Sequence, residues 1–380
     1  MRALHELRFR SSRDIEVRKL SDLPEEQREA FRELESDSEF YGLFVARPPS
    51  SMNVQAVYRQ TAELFRTLAV AASLDPAVLA EDGDDIVDLV LDGILEVECD
   101  GGFVSGAAAL SILCDATPDA MPVSGAARIS LDALLHAQDL DTRNPSELAL
   151  SLYFYNRLPA TNFWRTRFPD AQAILAHLGC DRGALHLALE RQWTASATPG
   201  WLHWANRAGI ERNGDDRTYK LYVSPRPERI REAFEVVVRV LSPIPGTQFK
   251  IGDSAGGLLR PDKLIAYFST RAELDEAAGQ FCRELAGGDA HGVPFTAPLD
   301  DSGLLSWGVD PPASECALQW AGRDSWRLWV ARRLGAALAV AGDAASDTAV
   351  EPWRFALERA RRHGIDTRTW TPSEALWSRS

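Results

Sequence analysis

Between Tyr219 and Leu285 the hydrophobic period switches repeatedly between two and 3.6 residues, and few layer arrangements accommodate that rhythm. Tyr219-Lys220-Leu221-Tyr222-Val223-Ser224 alternates and predicts a strand, stopped by Pro225-Arg226-Pro227. From Glu228 to about Leu241, Ile230, Phe234, Val237, Val238 and Leu241 recur at helical spacing. Phe249-Lys250-Ile251-Gly252 predicts a second short strand after Pro245-Gly246. Gly256 to Lys263 reads as a turn into a third strand, Leu264-Ile265-Ala266-Tyr267-Phe268, and a helix follows from Arg271 to Leu285. This β-α-β-β-α order is an α+β pattern. It brings Lys220, Lys250, Arg260 and Lys263 together only if the three strands share a sheet.

The same segment concentrates lysine. The 41 basic residues comprise four lysines and 37 arginines, and Lys220, Lys250 and Lys263 fall in this stretch, with Lys19 the outlier. Arginine stays protonated in a protein, whereas a buried or crowded lysine can lose its proton. A lysine cluster in an arginine-dominated chain therefore points to chemistry that needs an amine; chance spacing is the plain alternative. From Arg217 to Lys263 nine Lys/Arg stand against five Asp/Glu, in a chain of net charge −14. That local excess reads either as a solvated basic face or as a site for an anion.

A chain of 380 residues with 45% hydrophobic and 25% charged residues has room for two or three globular domains. The net charge argues against nonspecific binding to nucleic acid or an anionic membrane. No stretch approaches 18 uncharged apolar residues, so no transmembrane helix is predicted. Met1 to Glu6 runs into charge without the apolar core of a signal peptide. Cys99, Cys114, Cys180, Cys282 and Cys316 are odd in number and scattered, with no zinc spacing among Cys or His. Reduced thiols, a cytoplasmic location and no metal or other cofactor are the expectation.

Earlier in the chain, Leu7 to Arg10 and Ile15 to Arg18 alternate as short strands, and Phe40 to Val45 is a compact apolar strand closed by Arg47-Pro48-Pro49. Asn53 is placed to cap a helix carrying Val54, Val57, Tyr58, Thr61, Leu64, Phe65 and Leu68. A second helical stretch, Ile86 to Gly93, precedes two strands joined by Asp100-Gly101-Gly102, a hairpin turn. Residues 111–145 read as a connector with a helical patch around Leu131 to Ala137. Helices are predicted over Pro169 to Leu178 and Arg182 to Trp193. Tyr153 to Arg157 and Phe163 to Arg165 read as core aromatics edging a cleft, with Trp193, Trp201 and Trp204 following. Trp326, Trp329 and Trp353 read as packing residues of C-terminal helices.

Strand, helices and wing over residues 1–110 resemble the PqqD-like RiPP recognition element, a winged-helix domain that binds the leader of a ribosomally made precursor peptide. In that family the leader adds a strand to the sheet and rests against a helix. The resemblance implies Phe44, Val57 and Phe65 as peptide-binding residues. A DNA-binding winged helix is the rival, opposed by Glu96, Glu98 and Asp100 in the wing, which phosphate would repel. A purely structural subdomain is the other.

Residues 146–375 resemble the HopA-type type III effector family, and more distantly the OspF-like phosphothreonine lyases and the lyase domains of class III and IV lanthipeptide synthetases. The resemblance rests on Lys220-x-Tyr222, Phe249-Lys250, Arg260, Asp262 and Tyr267. Leu305-Ser306-Trp307-Gly308 resembles a late Leu-Ser-Tyr-Arg-Tyr-Gly segment of the lyases, without its arginine. It implies a mostly antiparallel α+β lyase domain with C-terminal helices. The implied activity is β-elimination of phosphate from phosphoserine or phosphothreonine of a RiPP precursor, as in lanthipeptide dehydration for antibiotic biosynthesis. A separate kinase-like protein and the precursor peptide are the implied partners.

On that resemblance Lys250 is the base, and Lys220, Arg226, Arg260, Lys263 and Tyr267 are phosphate ligands, Lys263 as a peripheral helper. Where the lyases carry an acid histidine this chain has Tyr222, so Tyr222 and His291 are the candidate acids, with a phosphate neutralised by Arg and Lys needing no strong acid as a further option. The departures leave a second possibility open, a non-catalytic scaffold that holds peptide and kinase together.

Overall fold

The computed structural model describes residues 4–48, 54–114, 125–209, 217–312, 315, 324–343 and 350–378; Asn53 and Cys316 lie outside these. The chain divides into two compact units. One comprises Met1–Ala120, Leu135–Ser151 and Ala331–Arg362, the other Met121–Leu134, Leu152–Val330 and His363–Ser380. Helix and antiparallel sheet are mixed throughout, an α+β architecture.

In the first unit β1 (Phe9–Ser11), β2 (Ile15–Arg18), β3 (Phe40–Ala46), β4 (Gln55–Tyr58), β5 (Leu95–Cys99) and β6 (Gly102–Val104) form two three-stranded sheets, β2-β3-β4 and β1-β5-β6. The helix predicted from Val54 begins only at Arg59. Gln55 to Tyr58 instead pair with β3, because Val57 closes a core of Ile15, Phe44, Ala62 and Ile94. The second helix is longer than its apolar run, Pro76–Leu91, started by Asp75 capping Ala77 N and by Pro76 in its first turn. The β5-β6 turn forms as predicted: Asp100 and Gly101 both take positive φ, 49° and 81°, as a two-residue type I′ hairpin requires. Arg359, 2% exposed, pairs with Asp88 at 2.5 Å and Asp92 at 2.6 Å. Residues on either side of the undescribed part of the predicted connector are helical, Gly106–Leu113 and Gly125–Gln138.

The second unit is built on an antiparallel sheet of β7 (Trp193–Thr198), β8 (Trp201–Asn206), β9 (Tyr219–Val223), β10 (Gln248–Gly252), β11 (Leu264–Phe268), β12 (Ala297–Pro298) and β13 (Leu305–Val309). Their order is β12-β13-β9-β11-β10-β8-β7, so the three lysine-segment strands are contiguous. Strand period two divides each strand between faces. Leu202, Trp204, Leu221, Val223, Phe249, Ile251, Leu264 and Ala266 join one core with the buried stripe of the helix Ile230–Leu241, whose Ile230, Phe234, Val237 and Leu241 are fully buried. The helix Arg271–Glu284 packs into the same core and begins with a Thr270/Glu273 capping box. Burying that face at roughly 25 cal/mol per Å² of apolar surface fixes the sheet's orientation. The residues of opposite parity, Trp201, His203, Lys220, Tyr222, Lys250, Ile265, Tyr267 and Ser306, share the other face.

Candidate active site

Phe249 sets Lys250. Its ring stacks on Trp204 with centroids 5.1 Å apart and meets Trp193 edge-on at 4.7 Å, which locks the register of β10. Lys250 must then project from the opposite face, where it lies across from His203 on β8 and Ile265 on β11. Its ammonium sits 4.1 Å from the Trp201 ring centroid and 5.6 Å from that of Tyr267. Among the described residues it has no hydrogen-bonding or ion-pair partner. Burial, then the positive charges of Lys220 and Arg260, lower its pKa to about 8 against the partial opposition of Asp262 and Asp310.

Two cations flank it, each tied to a carboxylate. Lys220 Nζ donates to Asp310 Oδ1 at 2.6 Å, and Asp310 also accepts from Trp326 N at the start of the helix Trp326–Asp343. Arg260 grips Asp262 through Nε and Nη2, both at 2.8–2.9 Å, and Nη2 also donates to Tyr153 Oη at 2.9 Å. The second guanidinium on Asp262 is that of Arg327, 2.7 Å away and 1% exposed. Burial alone would raise the Asp262 carboxyl, but Arg327 and Arg260 hold it below the usual carboxylate range. Arg260 is placed by the short helix Ala255–Leu258, where a turn was predicted. Ser254 caps it through Gly257 N, and Gly257 touches Gly252 so closely that neither position has room for a Cβ.

The remaining predicted residues are distributed unevenly. Tyr267 lies on the same face, and burial followed by the charges of Asp310 and Asp262 keeps its phenol protonated. Tyr222 shares the face but is 2% exposed among Ile265 and Val293; burial raises its pKa well above the ordinary value, which makes it a poorer acid. Lys263 is not peripheral. It is fully buried, donating to the Pro225 carbonyl and to His291 Nδ1, because the loop carrying His291 covers it. His291 Nε2 lies 2.6 Å from the Asn156 carbonyl, an acceptor, so the proton sits on Nε2 and Nδ1 accepts from Lys263. Burial and the Lys263 charge lower its pKa to about 3. Both nitrogens are occupied, and His291 has no proton to offer a substrate. Arg226 is exposed, and its charge bears on Lys263 and His291.

In the first unit, Phe44 and Val57 are core residues, 2% and 1% exposed, and Phe65 packs on Phe44 with centroids 5.1 Å apart. Side chains as buried as Phe44 and Val57 hold the subdomain together and present no face to a peptide, which corrects the expectation for those two; Phe65 is only partly buried.

Sequence reasoning gives Trp201 and His203 no role, since it assigns no strand to β7 or β8. The signal was present: Pro199-Gly200 separates two six-residue runs that form a hairpin. Burial and the Lys250 charge lower the pKa of His203. Tyr153 reads only as one of the core aromatics edging a cleft, and Asp310 and Arg327 carry no local signal. Lys250 is half-buried on a face where Tyr222, Ile265, Lys220 and Ser306 are buried; a concavity elsewhere, lined by Pro225, Arg229, Glu232, Glu284 and Asp289, contains none of these groups. Among the described residues no three His, Cys, Asp or Glu side chains converge as metal ligands would, and no helix is long and apolar enough to cross a membrane.

No protein-family model and no curated protein sequence matches this chain. Solved structures with a similar course include the effector protein of Pseudomonas syringae pv. tomato strain DC3000, at 12% identity, TM-score 0.40, covering 65% of this chain and 98% of that one. The effector protein of Pseudomonas syringae pv. syringae strain 61 aligns at 11% identity, TM-score 0.35, over the same shares. The type III effector/phosphothreonine lyase OspF of Shigella flexneri aligns at 15% identity, TM-score 0.26, over 33% of this chain and 77% of that one.

Proposed function

We propose that this protein is a lyase that eliminates phosphate from phosphoserine or phosphothreonine in a peptide, with Lys250 as the base. The observation that carries the reading is Lys250 itself: an amine with no carboxylate partner among the described residues, set between two aromatic rings, with Lys220 and Arg260 beside it. The Cα proton is weakly acidic, so its acceptor must be neutral and close. With a pKa of about 8, about a tenth of Lys250 is free base at neutral pH, against well under a thousandth for an ordinary lysine. Arg260 Nη1, which makes no hydrogen bond to the described residues, and Lys220 are the donors for a phosphate dianion, with Tyr267 between the lysines. Each such group is worth roughly 3–4 kcal/mol in a charged transition state.

That the peptide is a ribosomally made precursor, phosphorylated by a separate kinase-like protein, rests on the sequence resemblance. A winged-helix peptide-recognition role for the first unit has the same standing, supported by the β2-β3-β4 sheet, two following helices and the β5-β6 wing. A docking peptide would meet main chain at a sheet edge rather than Phe44 or Val57. The scaffold reading has one observation in its favour: Asp310 and Asp262 already hold Lys220 and Arg260.

Mass spectrometry of a phosphopeptide incubated with purified protein separates the two readings. Loss of H3PO4 with wild type and Lys19→Ala but not Lys250→Ala is expected. No loss with wild type leaves the scaffold, and turnover by Lys250→Ala removes the assigned base.

A further inference from the structure

We propose that Tyr153 donates the proton that the departing phosphate oxygen needs, a catalytic residue supplied by the helix Pro145–Phe154 rather than by the sheet. The inference rests on the lyase reading above. A phosphoseryl dianion that lost its Cβ–O bond unaided would depart as a trianion, so a proton must arrive as that bond breaks. Neither acid predicted from sequence delivers it: Tyr222 is sealed among apolar side chains, and both nitrogens of His291 are engaged.

Tyr153 has the right polarity. A guanidinium only donates, so in the 2.9 Å contact with Arg260 Nη2 the phenol oxygen accepts, and its own hydrogen is left for another partner. Its position is fixed from three directions. Arg327 Nη2 donates to the Tyr153 carbonyl at 3.0 Å, the Arg327 and Arg260 guanidinium carbons lie 5.0 and 5.6 Å from its ring centroid, and Asp262 fastens both arginines. Arg260 spends Nε and one Nη2 hydrogen on Asp262 and the other Nη2 hydrogen on Tyr153. Its Nη1 presents an N–H parallel to the one that Tyr153 receives. A phosphate oxygen accepting from Nη1 therefore arrives within hydrogen-bonding reach of Tyr153 Oη.

The step balances. Lys250 Nζ takes the Cα proton, and the C–H electron pair becomes the Cα=Cβ bond. The Cβ–O pair leaves with the phosphate oxygen, which takes the Tyr153 proton and departs as hydrogen phosphate. The phenolate formed is paired with Arg260, and solvent returns the proton from Lys250 to Tyr153.

The test compares two peptides that differ in leaving group, one carrying phosphoserine and one carrying β-chloroalanine, since chloride departs without a proton. Tyr153→Phe keeps the ring and is expected to eliminate phosphate ~10²-fold more slowly, while chloride elimination stays at the wild-type rate. Equal loss on both peptides would make Tyr153 a packing residue and overturn the proposal. So would no loss on either, and selective loss in His203→Gln would then assign the proton to His203, across from Lys250. The lyase reading fails separately, and this proposal with it, if wild type eliminates neither group or Lys250→Ala eliminates both as fast as wild type.

Discussion

Lys220 and Lys250 share the ring of Tyr267: each ammonium nitrogen lies 5.6 Å from its centroid. Lys220 reaches Lys250 only as an electrostatic neighbour, and after burial its charge is the foremost influence lowering the Lys250 pKa. Asp310, hydrogen-bonded to Lys220, works in the opposite direction. The proton affinity of Lys250 is thus set by the balance across one ion pair.

Lys220→Met removes the positive charge and frees the negative one. Both changes raise the Lys250 pKa above about 8, so the rising limb of kcat/KM against pH moves to higher pH. The rate at neutral pH then falls ~10-fold or more, because the free-base fraction drops about tenfold as the limb moves by one pH unit. Lys220→Arg keeps the charge and should hold the limb in place. A pH–rate profile of the three proteins decides it; an unmoved limb in Lys220→Met would separate the two lysines.

Asp262, 4% exposed, is the common anchor of Arg260 and Arg327. Asp262→Asn leaves two guanidiniums facing a neutral amide, and a broken buried pair typically costs ~3–5 kcal/mol. Because the carboxyl is held below its usual range, its stabilisation is present above about pH 4 and lost as pH falls through the folded value. Denaturant unfolding should show a large deficit in the variant near neutrality that narrows in acid.

The strands bearing the lysines were legible because each alternates and Phe249 marks the core side of β10. The helix Ile230–Leu241 was legible because its apolar stripe repeats at 3.6 residues. Local pattern failed where tertiary contact decides. Tyr153 and Arg260 are 107 residues apart, and nothing in either neighbourhood signals their hydrogen bond. Lys263 follows Arg260-Pro261-Asp262, a polar run that reads as surface, yet the loop with His291 buries it. Val57 sits equally well in a helical or an extended pattern, and pairing with β3 settles it as strand.

Gly252 and Gly257 make the site's tightest backbone approach. A Cβ on Gly252 would meet the Gly257 carbonyl carbon at 2.5 Å and its Cα at 2.7 Å. Backbone cannot rotate aside as a side chain does, so Gly252→Ala should cost ~1–3 kcal/mol. It should also slow elimination by displacing Arg260, three residues past Gly257. Gly209→Ala, which meets nothing within 4 Å, is the matched control. Thermal melts and turnover of the pair check both effects, and a Gly252→Ala protein with unchanged melt would show that the strand yields freely.

Lys263 makes stability depend on pH. Burial lowers its folded pKa to about 7, while the unfolded chain titrates near ~10.4. Between those values the unfolded state binds a proton that the folded state does not, so stability rises with pH across the window. Lys250 adds a smaller rise from about 8 upward. Lys263→Met removes the first contribution, worth on the order of a few kcal/mol, and should be the more stable protein below about pH 7 but not above about pH 10. It also takes a positive charge from beside His291, whose pKa of about 3 should climb toward its ordinary value. Stability lost by wild type as pH falls from about 6.5 to 3 then shrinks in the variant. Urea unfolding across the pH range tests both slopes, and parallel curves for the two proteins would mean that Lys263 stays charged inside the fold.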